Sequence, residues 1–510
     1  MGHALRLSGG GSRSKSSPTG AIWLLMLVTL FAAALLGLSL ALSFYPATIF
    51  LVLIIASLIL IVKPVIGVWV VIVGTQVAVG LIDLYMPALH LLGWWLALLS
   101  MGVAGIALMK AFISQTRHPA NTRDGRALVA WLWAFIAIAV FSSLANWHGV
   151  SGFIIGLKGY FQVWGLLLAI AYLTRGELDA RRLISFFLLL GLLQLPFVAH
   201  QFLVLVPQRS GELFAAHGIV AGDIVAGTYG GEMMGGGRSS TLALLCVLCV
   251  TLVIAQWRAG LHSLGRTILA ALIFLSPMFF SEAKLFLVLL PVALFVLFRD
   301  RILSNPLKAF VGVVALGALL MAIFFAYSLL PGAKSQQTSS VQKMLASNIE
   351  YNVGKRGYGN LLLNRTTVYG FWAKEHAHGD MLVPMLIGHG LGATSGGTAL
   401  NKDSQIFTRY LGYGIGLTGV SSLLWEVGLI GTAATLMLLL SAFRLGGRLA
   451  DRWLGTSHWP AIKTAQITVS LFAVSLLHSN YFVFDIGFQA ILMVILGYLL
   501  VMARIEKVHD

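Results

Sequence analysis

Charged side chains are scarce in this sequence. Asp, Glu, Lys and Arg make up 10% of the 510 residues, whereas hydrophobic residues make up 58% and the mean hydropathy is +0.89. An ordinary soluble domain carries about a quarter charged residues. The composition therefore excludes an ordinary soluble domain and predicts a membrane protein with many spans.

Cysteine is nearly absent as well. Cys246 and Cys249 are the only two, and they have C-x-x-C spacing, but no second ligand pair accompanies them and both lie inside an apolar run. Thiols in such a setting behave as small hydrophobic side chains. We therefore interpret both as core residues and not as a redox or zinc site.

Patterns typical of metal and acyl-serine chemistry are missing too. No acidic D-x-D cluster occurs in the loops that are predicted below to face outward. His376 and His378 are close in sequence, but their two-residue spacing does not share a helix face. The S-x-x-K spacing at residues 281–284 is accompanied by neither S-D-N nor K-T-G. We expect no metal and no cofactor.

Apolar runs long enough to cross a bilayer recur along the chain. No A-x-A-like cleavage site follows the first run, so we expect a retained helix there. We expect residues 1–20 to be a disordered basic cytoplasmic tail, residues 21–505 to form the transmembrane domain, and residues 506–510 to be a cytoplasmic tail. We predict an all-α polytopic protein with about fourteen spans, at residues 21–43, 47–62, 65–84, 89–112, 127–146, 153–173, 183–206, 239–257, 266–280, 285–298, 309–331, 419–442, 463–479 and 485–503.

The placement of Lys and Arg indicates the topology. The net charge of +16 would suggest nucleic acid as the partner of a soluble protein, but here the cations concentrate in every second loop. By the positive-inside rule, those loops and both termini are cytoplasmic, and we expect no nucleic-acid partner. The cations that define this side include Lys63, Arg123, Arg182, Arg258, Arg301 and Arg448.

Two of the loops predicted to face outward are long, at residues 207–238 and 332–418. The longer loop is basic, against the topological trend, which favours a role in holding an anion. Asn364 is a candidate helix N-cap, and Arg365, Tyr369 and Trp372 follow near one helix face. Arg365 at this helix start fits a phosphate site, and a surface helix whose arginine meets lipid head groups explains the pattern equally well.

The loop at 207–238 is rich in glycine and ends with Arg238 at the start of a span. Glycine allows close approach of backbone to a ligand, and arginine can bind a phosphate with two hydrogen bonds. A flexible connector with Arg238 as an interfacial anchor is the alternative. Lys284, near the outer end of two spans, is either a second cation of the same cavity or a residue that snorkels to the interface.

Three segments together resemble the signature region of the O-antigen ligase and polymerase family. They are "NRTTVYGFWAKEH", "MLVPMLIGHGLGAT" and "LWEVGLIGTAATLMLLL", and two further segments, "VAGTYGGEMMGGGRSSTLALL" and "GLKGYFQVWGLLLAIAYL", are similar to other parts of the family. The resemblance covers roughly residues 150–442, with short and degenerate motifs. The matching positions are Arg365, Tyr369, Pro384, Gly388, Gly390, Gly392, Glu426, Gly428 and Gly431.

The resemblance implies a GT-C-like membrane glycosyltransferase of the bacterial inner membrane. Its substrate would be an oligosaccharide on polyprenyl diphosphate, and a flippase and a chain-length regulator would be its protein partners. The chain lacks the histidine-asparagine pair that family ligases carry before the glutamate, since residues 414–420 read "GIGLTGV", and Ser281 is followed by Glu282 instead of arginine. These departures favour a polymerase over a ligase acting on lipid A core. A chain with this many spans could also be a solute transporter or a non-catalytic assembly subunit.

The diphosphate leaving group of such a reaction needs fixed cations, and the acceptor hydroxyl needs a base. We expect Arg238 and Arg365 to contact the diphosphate, with Lys284, Arg209 and Lys158 as further candidates. The candidate bases are His389, Asp403, Glu232 and Glu426.

The spacing G-x-G-x-x-A within "LIGHGLGATSGG" is that of a dinucleotide turn, but no strand precedes it. We interpret this stretch as a turn in which Gly388, Gly390 and Gly392 bring the backbone close to a bound glycan or diphosphate. His389 lies in its middle.

Overall fold

The computed structural model describes residues 61–90, 92–114, 123–147, 149–174, 176–209, 221–281, 283, 285–304, 306–328, 352, 354, 357, 361–378, 381–396 and 404–505. The chain divides into two compact units, Met1–Pro64 and Val65–Asp510, and nearly all described residues belong to the second. The predicted tails, the first predicted span, nearly all of the second, and the site candidates Lys284 and Asp403 lie outside the described residues.

The described residues are mainly helical and form no β-strand, so the all-α expectation is confirmed for them. The larger helices are α1 (Pro64–Tyr85), α2 (Leu92–Ser114), α3 (Arg123–Ala145), α4 (Val150–Phe161), α5 (Trp164–Leu173), α6 (Glu177–His200, which continues to Gln208), α7 (Ser239–Arg258) and α8 (Leu264–Leu275). They are followed by α9 (Pro277–Phe280), α10 (Phe286–Ser304), α11 (Pro306–Ser328), α12 (Thr367–Glu375), α13 (Leu382–Ile387), α14 (Gln405–Arg409), α15 (Gly419–Glu426), α16 (Gly428–Arg452), α17 (Trp459–Ser475), α18 (Tyr481–Phe484) and α19 (Ile486–Arg504).

Several of these helices can cross a membrane. Within the described residues, seven are long and apolar enough to do so, or eight if α4 and α5 are counted together as one bent span. Backbone groups in lipid must be satisfied internally, which a helix achieves by itself. The protein is therefore a multi-pass membrane protein.

Two spans predicted as single helices are broken. The predicted span 153–173 consists of α4 and α5, which meet at an angle of 49° after Phe161. The predicted span 419–442 consists of the short helix α15 and the longer α16. The second break lies at Val427 and Gly428, where Gly428 has a φ of 66° that an L side chain rarely adopts. Apolar sequence alone did not reveal either break, because both flanks are hydrophobic.

The core of the bundle surrounds α19, whose apolar window is entirely buried inside the protein. A helix that is hydrophobic on all sides belongs in the interior, and α19 packs against α5 and α17. By contrast, α2 exposes a face of large apolar side chains suited to lipid, which includes Trp95, Leu98, Met101, Met109 and Phe112.

Charged residues form two groups, each at helix ends that the sequence predicts to lie on one side of the membrane. Arg258 Nη2 lies 3.7 Å from Asp300 Oδ2, and Lys463 interacts electrostatically with both residues. All three belong to loops predicted to be cytoplasmic. Lys158 and Arg238, predicted to face outward, interact with each other and with Asp83. This grouping agrees with the charge alternation along the sequence.

Candidate functional site

The glycine-rich turn at residues 388–395 is held against the end of α15. The N–H of His389 donates to Trp425 O at 2.8 Å, and the N–H of Gly390 donates to Glu426 O at 3.0 Å. Asn146 and the hydroxyls of Ser142 and Ser143 on α3 bind further backbone groups of the turn. The turn therefore has a fixed position even though it contains no regular helix.

The carboxylate of Glu426 is the central support of this turn. It is fully buried and accepts hydrogen bonds from the N–H of Gly392 (2.8 Å), the N–H of Thr394 (3.0 Å) and the Thr394 hydroxyl. Burial raises the pKa of Glu426, and the hydrogen bonds from Thr394 and Gly392 oppose that shift. A carboxyl engaged in this way is suited to positioning the turn.

The three glycines of the turn have positive φ values of 78°, 90° and 83° at Gly388, Gly390 and Gly392. A Cβ on Gly388 would lie 2.3 Å from the carbonyl carbon of Glu426, so the close approach there is to the chain's own backbone. The approach of the three glycines to a ligand stays a prediction. Only Gly392 lines the adjoining cavity. Backbone crossing therefore explains Gly388 without a ligand.

A cavity of about 970 Å³ opens beside this turn. Its wall combines α4, the start of α2, the loops on either side of α14, and the segment around α18. The lining is mostly apolar and aromatic, with backbone of several glycines exposed, and it includes Trp94, Tyr160, Phe407, Tyr410 and Phe484. This size is in the range of small-molecule and cofactor sites.

Lys158 is the cation that lines this cavity within the described residues. Its Nζ lies 5.3 Å from the centre of the Trp94 ring, within cation–π distance. No carboxylate of the described part of the chain lies within ion-pair distance of Lys158. Within the described lining, Lys158 therefore brings a positive charge to a wall that is otherwise mostly apolar and aromatic.

Arg238 interacts electrostatically with Lys158 and does not itself line the cavity. Its Nη2 lies 2.6 Å from Asp83 Oδ2, and its Nη1 donates to Tyr229 O at 3.2 Å. Burial tends to lower the pKa of Arg238, but the carboxylates of Asp485 and Asp83 outweigh this effect and the net shift is upward. Arg238 is therefore a permanent cation with a fixed orientation.

Arg365 is held by hydrogen bonds to other residues of the protein. Its Nε donates to His478 O at 2.7 Å, and its Nη1 donates to Asn352 Oδ1. Asn364 acts as the predicted cap, since its Oδ1 accepts from the N–H groups of Thr366 and Thr367, both at 2.9 Å. The formal N-cap of α12 is Thr366, two residues later than predicted. Arg365 does not line the cavity.

His376 and His389 form a hydrogen-bonded pair, although His378 is nearer to His376 in sequence. Their Nε2 atoms are 3.1 Å apart, and His376 Nδ1 lies 2.8 Å from Trp372 O. The backbone carbonyl can only accept, so Nδ1 of His376 donates and its Nε2 accepts from His389. Burial lowers the pKa of His376. His389 is thus placed beside Trp425 and away from the cavity lining.

The remaining candidates occupy different surroundings. Arg209 is buried, and its Nη2 donates to Gly235 O at 2.7 Å, which braces the turn that precedes Arg238. Glu232 is exposed in that same turn. Cys246 and Cys249 are buried in α7, as predicted for core residues. Among the described residues, no group of three or more His, Cys, Asp or Glu side chains is arranged to hold a metal ion.

Two residues of the site were missed by the sequence reasoning. Asp83 is the only charged residue of the predicted span 65–84, and a lone charge in a span is a signal of function. His90 lines the cavity, and its Nδ1 lies 2.9 Å from Pro87 O, so Nδ1 donates and Nε2 carries the lone pair of the neutral ring. Nothing in the sequence around His90 distinguishes it from an interfacial histidine.

Comparison with known proteins adds no relative. No protein-family model matches the chain, and no curated protein is significantly similar to it. The function therefore has to be argued from the cavity and its surroundings.

Proposed function

We propose that this protein is a membrane glycosyltransferase that polymerises oligosaccharide repeat units carried on polyprenyl diphosphate at the outer face of the bacterial inner membrane. The observation that carries the proposal is the cavity of about 970 Å³. Lys158 lines it, Arg238 interacts electrostatically with Lys158, and the rest of the described lining is mostly apolar and aromatic. Aromatic faces suit sugar rings, and fixed cations suit a diphosphate.

The reaction that fits this arrangement is a single displacement. An acceptor hydroxyl oxygen attacks the anomeric carbon of the donor, the bond from that carbon to the diphosphate oxygen breaks, and the diphosphate leaves with the electron pair. Lys158 and Arg238 stabilise the charge that develops on the leaving group. The donor is already activated by its diphosphate, so the reaction consumes no nucleotide.

The hydroxyl proton must pass to a base near the cavity. Among the candidates within the described residues, Glu426, Glu232 and His389 do not line it. His90 does, with a fixed Nδ1 donor and an Nε2 lone pair. We therefore assign the base role to His90 and a supporting role to Glu426, which holds the turn that carries Gly392 and Thr394.

The test is the loss of polymer in cells that carry single variants. Lys158→Ala and Arg238→Ala should each lower polymer formation by about 100-fold while the protein stays inserted and abundant, since removal of one electrostatic stabiliser commonly costs 10²–10³ in rate. Arg365→Ala tests the third cation in the same way. Arg182→Ala is the matched control, because Arg182 is exposed and its ion pair within the described residues is with its helix neighbour Asp179. Normal polymer in both the Lys158 and the Arg238 variant would refute the proposed leaving-group site.

The lipid-linked species that accumulates without the protein separates polymerase from ligase. Single repeat units on polyprenyl diphosphate support a polymerase. Finished polymer on the same lipid supports a ligase that transfers it to lipid A core.

A solute transporter is the second candidate, and one observation favours it. Polar side chains such as Gln76, Gln194 and Gln201 are buried inside the helix bundle, and the bend between α4 and α5 interrupts a span. Interrupted helices with buried polar groups are typical of transporters. Uptake of solute into vesicles, together with normal glycan chain length in cells that lack the protein, would support a transporter instead.

A further inference from the structure

A stretch of backbone without α-helix, at residues 224–230, is buried inside the helix bundle. It joins two short 3-10 turns, Ala221–Ile224 and Gly227–Tyr229, and every residue from 224 to 230 is buried. Its own turns satisfy some of its backbone groups, as in the hydrogen bonds from Tyr229 N–H to Ala226 O (3.2 Å) and from Gly230 N–H to Gly227 O (3.3 Å). Buried backbone groups that are left unpaired are costly, so the neighbouring helices must supply partners for the others.

Glutamine side chains supply many of these partners. Gln201 Oε1 accepts from the N–H groups of Ala226 (3.0 Å) and Gly227 (2.7 Å), and its Nε2 donates to Gly227 O at 2.7 Å. Gln194 Oε1 accepts from the N–H of Thr228 at 2.8 Å, and its Nε2 donates to the Thr228 hydroxyl at 2.9 Å. Both glutamines are on α6 or its continuation and are fully buried.

A third glutamine, Gln76 on α1, completes the set. Its Oε1 accepts from the Tyr229 hydroxyl at 2.8 Å, and its backbone oxygen accepts from the Thr228 hydroxyl at 2.7 Å. Its Nε2 donates to Gly487 O at 2.8 Å, which ties the group to α19. We call Gln76, Gln194 and Gln201 the glutamine cradle.

Two members of the glutamine cradle lie in π-helical turns. Gln76 belongs to the turn Gly74–Ala78 within α1, and Gln201 begins the turn Gln201–Leu205 that extends α6. A π-helical turn inserts one residue into an α-helix and re-aims the side chains around it, and such turns are common at functional sites. Both irregularities therefore coincide with the side chains that hold the buried segment.

The same face of α1 reaches Arg238. Gln76, Gly80 and Asp83 are spaced four and three residues apart, which places them on one side of the helix. Gly80 admits the segment, because a Cβ there would lie 2.2 Å from Tyr229 O. At the end of this row, Asp83 binds the guanidinium of Arg238 at 2.6 Å.

Arg238 is also bonded directly to the segment that the glutamine cradle holds. Its N–H donates to Gly230 O at 3.0 Å, and its Nη1 donates to Tyr229 O at 3.2 Å. A displacement of residues 228–230 would therefore displace both the backbone and the side chain of Arg238. Glutamine satisfies donors and acceptors without adding a charge beside this cation, which aspartate or glutamate in its place would do.

We propose that the glutamine cradle positions Arg238 beside the cavity. Gln76, Gln194 and Gln201 are positioning residues that act through segment 224–230 and do not themselves contact the substrate. The functional consequence rests on the proposed function, since it requires that Arg238 serves the leaving group.

Thr228 offers the sharpest variants, because its hydroxyl bonds both Gln76 and Gln194. Thr228→Val keeps the shape and removes the hydroxyl, and Thr228→Ser restores it. Thr468→Val is the matched control, because Thr468 is also fully buried and its hydroxyl donates to Thr464 O within its own helix. Tyr229→Phe is a second, milder variant that removes only the hydroxyl bound to Gln76.

Two readouts are measured on the purified protein. The first is the rate at which phenylglyoxal labels Arg238, followed by mass spectrometry and normalised to the exposed Arg182. The second is kcat/KM with polyprenyl-diphosphate-linked repeat units extracted from cells that lack the protein. We expect Thr228→Val to accelerate labelling of Arg238 several-fold and to lower kcat/KM by about 100-fold, the cost of misplacing a catalytic group by about 1 Å. Thr228→Ser should return both values close to those of the wild type, and Thr468→Val should change neither.

The outcomes separate the two proposals. Unchanged labelling of Arg238 in both Thr228→Val and Tyr229→Phe would overturn the positioning role. Faster labelling in these variants, combined with normal polymer in Arg238→Ala, would leave the positioning role standing and remove the proposed function.

Discussion

Two segments without α-helix, at residues 224–230 and 388–394, are fixed to the same bundle by different chemistry. The first is held by neutral amide side chains of the glutamine cradle. The second is held by the carboxylate of Glu426 and by carbonyls at the end of α15. The first is bonded to a cation, Arg238, and the second carries His389, which is hydrogen-bonded to His376.

This difference predicts which of the two segments changes with pH. The described contacts within segment 224–230 involve amides, hydroxyls and backbone, none of which changes charge near neutral pH. The turn at 388–394 depends on Glu426 and adjoins His376 and His389, which are titratable. We therefore expect segment 224–230 to keep its hydrogen bonds over a pH range in which the glycine turn responds.

The largest effect should follow from loss of the carboxylate. Glu426→Ala leaves three donors of the turn without their acceptor, and each buried unpaired group costs about 1–3 kcal/mol. We expect a loss of about 3 kcal/mol or more in stability, measured by thermal unfolding in detergent. Glu232→Ala is the control, because Glu232 is exposed, and its melting temperature should stay at the wild-type value. Equal melting temperatures for the two variants would show that Glu426 does not support the turn.

A smaller effect should distinguish the close contact between two backbone segments from the strain of a left-handed backbone conformation. Gly388 and Gly412 both have positive φ, at 78° and 82°, but only a Cβ on Gly388 meets other atoms, with Glu426 at 2.3 Å. Gly412→Ala should cost about 1–2 kcal/mol for the left-handed backbone. Gly388→Ala should cost about 2 kcal/mol more, because the crowded backbone must move. Melting temperatures of the two variants test this difference, and similar values would contradict the tight crossing.

The smallest effect should appear as a dependence on pH. Burial lowers the pKa of His376, so the unfolded chain binds a proton below about pH 6.5 that the folded protein resists. The stability contributed by neutral His376 is therefore complete above that pH and is lost as the pH falls toward its folded-state pKa. We expect His376→Phe to weaken the fall in melting temperature between pH 7.5 and pH 5.5. An identical fall in the variant and the wild type would be inconsistent with a buried neutral His376.

The helices were largely predictable, and the segments between them were not. The span predicted at 239–257 is α7, Ser239–Arg258, because a long apolar run with polar flanks is compatible with few other structures. The turn at 388–394 was located by its glycines, but its true neighbour, the end of α15, was not foreseen. Glycine spacing reports that backbone comes close to something, and it does not report what.

The candidate site shows the same division. Arg238 and Lys158 were proposed as cations of the site from their positions at the outer ends of helices, and the two interact electrostatically. Asp83, which pairs with Arg238, is 155 residues away in sequence. His376 is bonded to His389, which is 13 residues away in sequence. Such pairs depend on how distant helices pack, which a local pattern does not encode.

The sequence by itself determined that this is a helical, multi-pass membrane protein, because the bilayer requires long apolar runs and penalises charge, and both leave a direct trace in composition. Only the tertiary structure decided which polar residues meet. The glutamine cradle draws its three members from α1 and from α6 with its continuation, and it serves a segment that precedes α7. Its members look like isolated polar residues in apolar runs until the packing of the helices brings their amides to one buried backbone.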